Sequence, residues 1–163
     1  MKTKVIYLLT ITGFLIALDQ FTKLAVQTHF QVGDSISIIP NYFNITYVQN
    51  PGAAFGFLAR APTFFRETFF FLIPPFAMVV ILFFLKSVEL SDRLQILALR
   101  LVFGGALGNY IDRLRMKYVI DFLDFHYQQY YSWPAFNVAD SAIVCGIAIL
   151  FLLSLRKDKA HQG

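Results

Sequence analysis

The side chains able to move protons are concentrated in residues 104–140. That stretch reads GGALGNYIDRL, then VIDFLDF, then FNVAD. It holds four of the chain's ten acidic residues, Asp112, Asp121, Asp124 and Asp140, together with Arg113, Asn109 and Asn137. These groups lie between or inside two segments apolar enough to enter a bilayer, where each ionisable side chain costs roughly 2.5–3.5 kcal/mol on insertion scales. One or two polar residues would suffice as packing glue between helices. Four acids, an arginine and two asparagines exceed that need and point to a functional site.

The chemistry on offer is that of carboxylates. Two aspartates brought together share one proton, because like charges a few ångströms apart do not both ionise cheaply. One then takes a proton from water while the other gives one to a carbonyl oxygen, which is acid–base peptide hydrolysis. Asp140 is the best placed, at the mouth of the last apolar run with Asn137 one turn before it. The same pair also reads as a cap, with Asn137 at the N-cap and Asp140 at N3 beside the positive helix end. Asp121 and Asp124 compete for the second role, and spacing does not choose between them.

Other chemistries find little support. His29, His126 and His161 are far apart and no HExxH pair exists. Asp121, Asp124 and His126 lack the second histidine an ion site would want. No histidine or lysine is placed to activate Ser141 or Cys145. No glycine-rich phosphate loop follows a strand, and no repeat is visible. No metal and no cofactor are expected.

The elements that must position these groups are those of a membrane protein. The 163 residues make one domain's worth of chain, 57% hydrophobic and only 15% charged, with a mean hydropathy of +0.59. The net charge of +4 is scattered over termini and loops rather than gathered in a stripe, so no nucleic-acid partner is expected. Cys145 is the only cysteine, offers no disulfide framework and reads as a small buried hydrophobe.

Four spans are expected, roughly 5–26, 69–85, 94–111 and 138–155. Lys2 and Lys4 before an apolar run resemble a signal peptide, but the small-x-small cleavage site is missing and the pattern runs on to Val26, so the span is read as retained. Within it Asp19 and Lys23 stand four apart, acid first, on one helix face, as a salt bridge near the membrane surface would. Pro74-Pro75 predicts a kink in the second span. In the third, Gly104 and Gly108 form a GxxxG pair, while Gly105, Asn109 and Arg113 follow a neighbouring stripe flanked by Asp112. Residues 31–66 differ in kind. Ile36–Ile38 and Phe43–Val48 alternate as half-buried strands do, with a turn at Pro40-Asn41, predicting a small sheet outside the bilayer. NPGAAFG (50–56) is able to bring backbone close to a ligand. Residues 114–136 read as a second polar segment with a headgroup-level aromatic cluster, Tyr127 to Trp133.

Five motifs carry a resemblance. DQFTK (19–23), NPGAAFG (50–56), GGALGNYIDR (104–113), VIDF (119–122) and FNVAD (136–140) occur in order at the ends of the four spans. In these the chain resembles the bacterial lipoprotein signal peptidase family, signal peptidase II. The resemblance implies an all-α membrane protein of four transmembrane helices with a small extracytoplasmic β-structure. It implies an aspartic endopeptidase that cuts prolipoproteins just before a diacylglyceryl-modified cysteine. Asp121 and Asp140 would form the catalytic pair, which favours Asp121 over Asp124. Asp19, Lys23, Asn50, Gly52, Asn109, Asp112, Arg113 and Asn137 would bind substrate or support the site. Membrane lipids and lipidated precursors are the implied partners, acting with a monomer in the bacterial inner membrane.

The basic residues favour one orientation. Lys2, Lys4, Lys86, Arg93, Arg156, Lys157 and Lys159 lie on the side of both termini. Arg60, Arg66, Arg113, Arg115 and Lys117 lie on the other. That bias puts the termini in the cytoplasm and the acids near the outer face. The competing class is a proton- or ion-coupled transporter, against which count four spans, no repeat and acids crowded at one face. A non-catalytic scaffold would explain GxxxG but not the acidic cluster.

Overall fold

Glycine and small residues bring three helices together beneath a small sheet. The computed structural model describes residues 2–52, 58–128 and 130–160. Its elements are α1 (Lys2–His29), β1 (Ser35–Ile39), β2 (Phe43–Asn50), α2 (Thr63–Ser87), α3 (Arg93–Met116), β3 (Val119–Tyr127), β4 (Tyr131–Ser132) and α4 (Val138–Ala160). Among the described residues, α2, α3 and the Val138–Arg156 part of α4 are long and apolar enough to cross a membrane. At 28 residues, α1 has a length of about 40 Å, more than a bilayer core is thick. The helices outrun the apolar windows because helical hydrogen bonding continues into polar ends, as at Arg66 and Glu67 in α2. That helix also continues through Pro74 and Pro75.

α3 is the central element, packed between α1 and α4. A Cβ on Gly108 would lie 2.8 Å from Asp19 Oδ2 of α1, and one on Gly105 would run into the Ala139 carbonyl oxygen of α4. Only hydrogen side chains allow both approaches. α3 ends where Lys117 turns left-handed, φ 69°, and donates its N–H to the Arg113 carbonyl. That turn sends the chain directly into β3.

The expected hairpin is present, with Ile36 facing Ile45 and a left-handed Asn41 (φ 69°) in its turn. The sheet is larger than expected, however. It has four strands in the order β1-β2-β3-β4, and residues 119–127 supply a strand where only a polar segment was read. In β3 the first four residues are all buried, so no alternation marks it. Ile120 and Phe122 pack with Val26 of α1 and Tyr47 of β2, which nails the sheet to the helices. A second correction concerns Cys145. It is exposed on α4, because an apolar position in a membrane helix does not have to be an interior one.

Candidate active site

The site forms where the N-terminus of α4 meets the start of β3 and the last two turns of α3. Asn137 and Asp140 form a reciprocal capping box. Asn137 Oδ1 accepts the Asp140 N–H at 2.9 Å, and Asp140 Oδ2 accepts the Asn137 N–H at 3.3 Å. The capping reading of this pair is therefore realised, and it does not exhaust either residue. Asn137 Nδ2 donates to Asp121 Oδ1 at 2.8 Å, so one side chain ties α4's first acid to the acid of β3. Asn109 Nδ2 donates to Asp140 Oδ1 at 2.7 Å, and Asn50 Nδ2 to Asp121 Oδ2 at 2.9 Å. Both carboxylates thus receive nitrogen donors on both oxygens.

Both also line one cavity of about 660 Å³, whose walls include Asn50, Phe125, Phe136 and Ser141. The wall is largely aromatic and aliphatic, and few polar groups converge on it. Asp121 is 2% exposed. Burial pushes its carboxyl up to about 7, the Asp140 charge adds to this, and the amides of Asn50 and Asn137 oppose it. Asp124 is elsewhere. It accepts from Asn44 Nδ2 at 3.3 Å and Ser132 Oγ at 3.4 Å, with His126 Nδ1 at 3.9 Å. Among the described residues no cluster of three metal-ligating side chains occurs.

Behind the acids lies a buried charge cluster. Lys23 pairs with Asp19 at 2.8 Å and with Asp112 at 2.9 Å. Asp19 is fully buried because α3 and α4 close over it, so the salt bridge its spacing suggested lies inside the bundle. Arg113 Nη2 donates to the Gly52 carbonyl at 2.8 Å and its guanidinium stacks 4.4 Å from the Phe70 ring centroid. Gly52 also donates its N–H to Asn50 Oδ1 at 2.9 Å. Gly52, directly after β2, is thereby pinned near Asp121 through Asn50. Ala53 to Gly56 of the NPGAAFG motif, and His161, lie outside the described residues. All ten candidate side chains or backbones converge on this one end of the bundle.

A family profile described as signal peptidase (SPase) II matches residues 11–156. The chain belongs to the signal peptidase II family. It is 46% identical over 159 residues to the lipoprotein signal peptidase of Syntrophus aciditrophicus, covering 98% of each chain. To that of Syntrophotalea carbinolica it is 43% identical, over 96% of this chain and 95% of the relative. Its fold is similar to that of a bacterial membrane enzyme solved by the in meso method, with a TM-score of 0.83 at 32% identity over 100% of this chain and 93% of the other. A second such enzyme gives 0.80 at 31% identity, over 95% and 94%. As a signal peptidase II the chain is a protease that removes signal peptides from prolipoproteins, built on helices that place it in a bacterial membrane.

One residue of this signal peptidase II site escaped the sequence reading. Gln20 Nε2 donates to Asp112 Oδ1 at 2.8 Å and reaches the Gly108 carbonyl at 3.3 Å, adding to the tie between α1 and α3. It lies inside DQFTK, but an uncharged glutamine beside Asp19 gave no signal of its own. Of the aromatic cavity wall, Tyr127, Tyr131 and Trp133 belong to the cluster read at headgroup level, whereas Phe125 and Phe136 gave no signal because they come together only through the sheet.

Proposed function

We propose that this signal peptidase II is an intramembrane aspartic endopeptidase whose catalytic pair is Asp121 and Asp140. Its substrate is a prolipoprotein carrying diacylglyceryl cysteine, cut on the N-terminal side of that residue. The observation that carries the reading is the Asn137 bridge, which holds the buried Asp121 carboxylate and the half-buried Asp140 carboxylate on one cavity wall. Asp121, pushed up to about 7, and Asp140 share one proton near neutrality, and in the reactive form Asp121 carries it.

Asp140 then takes a proton from water as the oxygen attacks the scissile carbonyl, and Asp121 gives its proton to the carbonyl oxygen. In the collapse of the resulting gem-diol, the C–N bond breaks. Asp140 passes its proton to the leaving nitrogen, and Asp121 recovers one from the hydroxyl. Atoms and protons balance, and the pair returns to its starting state. Asn50, Asn109 and Asn137 orient the carboxylates. Asp19, Lys23, Asp112 and Arg113 hold the elements that carry them, and Gly52 links Asn50 to Arg113.

The remaining features follow the same reading. All of residues 1–163 form one peptidase domain with four spans, α1 being the fourth. Both termini are cytoplasmic, the sheet and acids lie near the outer face, and the enzyme works as a monomer among membrane lipids. A lateral route suits the substrate, since the signal helix and acyl chains can stay in lipid while the scissile bond meets water at the interface. The test is to incubate the purified protein with a diacylglyceryl-cysteine precursor and its unlipidated twin. Mass spectrometry should find a product beginning at the lipidated cysteine and none from the twin. Equal cleavage of both would remove the lipid requirement.

A further inference from the structure

The ammonium of Lys23 has three N–H donors and no acceptor. Three acceptors meet it among the described residues: Asp19 Oδ2 at 2.8 Å, Asp112 Oδ2 at 2.9 Å and Asn109 Oδ1 at 2.9 Å. The first two contacts neutralise charge and would explain a buried lysine by themselves. The third does something else. A carboxamide carries an acceptor at one end and donors at the other, so its neighbours decide which way it points. With the ammonium fixed at Oδ1, Asn109 turns Nδ2 to Asp140 Oδ1 at 2.7 Å. Reversed, the amide would set a carbonyl oxygen against a carboxylate and offer its N–H₂ to a cation.

Asn137 repeats the arrangement. The Asp140 N–H occupies its Oδ1, so Nδ2 faces Asp121. Each acid of the pair is therefore met by an amide whose direction is set from behind. For Asn137 the setter is backbone, which no side-chain change removes. For Asn109 it is one ammonium, assisted by Asn137 Nδ2 at 3.1 Å. The charged groups around this amide are Asp19 and Lys23 from α1, Asp112 and Arg113 from α3, Asp121 from β3 and Asp140 from α4.

We infer that Lys23 is a positioning residue, locking the Asn109 amide so that its N–H₂ meets Asp140, and that it acts on cleavage through this amide rather than through the neighbouring acids. The inference rests on the Asp121–Asp140 reading above.

A double-mutant cycle with steady-state kinetics tests it. Lys23→Met should lower kcat roughly 100-fold, the cost of one misdirected donor, with KM for the lipidated precursor little changed. Asn109→Ala should do about the same. In the Asn109→Ala background, Lys23→Met should then cost less than about threefold, because the amide it directs is gone. A full second loss in that background overturns the inference. Because Lys23→Met strands two buried acids, Lys23→Met/Asp112→Asn is measured in parallel, with the same net charge as the parent. Parental kcat in that variant also overturns the inference, and a kcat loss like that of Lys23→Met supports it. Asp140→Asn is the control. If it is inactive while Lys23 and Asn109 act additively, the relay alone fails; if it cleaves at the parental rate, the catalytic pair fails and the relay with it.

Discussion

Asp19 Oδ1 on α1 accepts the backbone N–H of Ala139 on α4 at 2.9 Å, across 120 residues of chain. Its other oxygen holds Lys23. One carboxylate thus caps the helix that carries Asp140 and anchors the cation behind it. Asp19→Ala should leave a buried N–H orphaned and Lys23 half-paired, costing about 3–5 kcal/mol. Thermal unfolding in detergent would show this as a lowered Tm, and an unchanged Tm would mean that α4 does not depend on the tie.

Glycine substitutions should separate close approach from helix propensity. A Cβ on Gly105 meets backbone, the Ala139 carbonyl, which has no room to rotate away. Gly105→Ala should therefore push α3 from α4, lowering both Tm and activity. Gly13→Ala, with nothing within 4 Å, should change stability by less than about 1 kcal/mol. Equal effects in the two variants would contradict the packing described.

How far these relationships were legible beforehand varied with their physical origin. The helices announced themselves as apolar runs, and β1 and β2 by alternation, because each signal is local. Val119–Phe122 is buried on both faces, so the period that would have marked β3 was absent. GxxxG foretold close packing but not its partner, with Gly104 and Gly108 both meeting α1 while Gly105 of the neighbouring stripe meets α4. The asparagines were visible as residue types. Their pairing with particular carboxylate oxygens was not, since Asn50 and Asp121 are 71 residues apart and meet through strand register. Spacing alone left Asp121 and Asp124 equal. In the fold they separate, as only Asp121 reaches Asn137 and the cavity wall shared with Asp140.

Asp121 predicts a pH dependence with a definite sign. Its carboxyl stands near 7 in the folded protein against an ordinary value of 3.8. Ionising it therefore costs more folded than unfolded, and its contribution to stability is full below the lower value and lost as pH rises through the upper. Tm of the parent should fall relative to Asp121→Asn between those two values. Cleavage should decline as pH rises through about 7, when the acid loses its proton. A constant Tm difference, or a rate flat through neutrality, would contradict the assignment.

The orientation is open to labelling. In a background lacking Cys145, a cysteine replacing Ser37 in β1 should react with an impermeant thiol reagent added outside intact spheroplasts. One replacing Ser91, between α2 and α3, should not. The reverse pattern would turn the molecule over and put the acids on the cytoplasmic side.

The most direct measurement of the central claim is cleavage of a lipidated precursor by Asp121→Asn, Asp140→Asn, the double variant and Asp124→Asn. Precursor binding is measured beside it. Asparagine keeps size and hydrogen-bonding capacity while ending proton exchange. Each single change at the pair should lower kcat at least roughly 1,000-fold and the double change little further, since the two act as one unit. Binding should persist, and Asp124→Asn should cleave nearly as the parent does. Near-parental cleavage by Asp121→Asn or Asp140→Asn, or abolition by Asp124→Asn alone, would contradict the account.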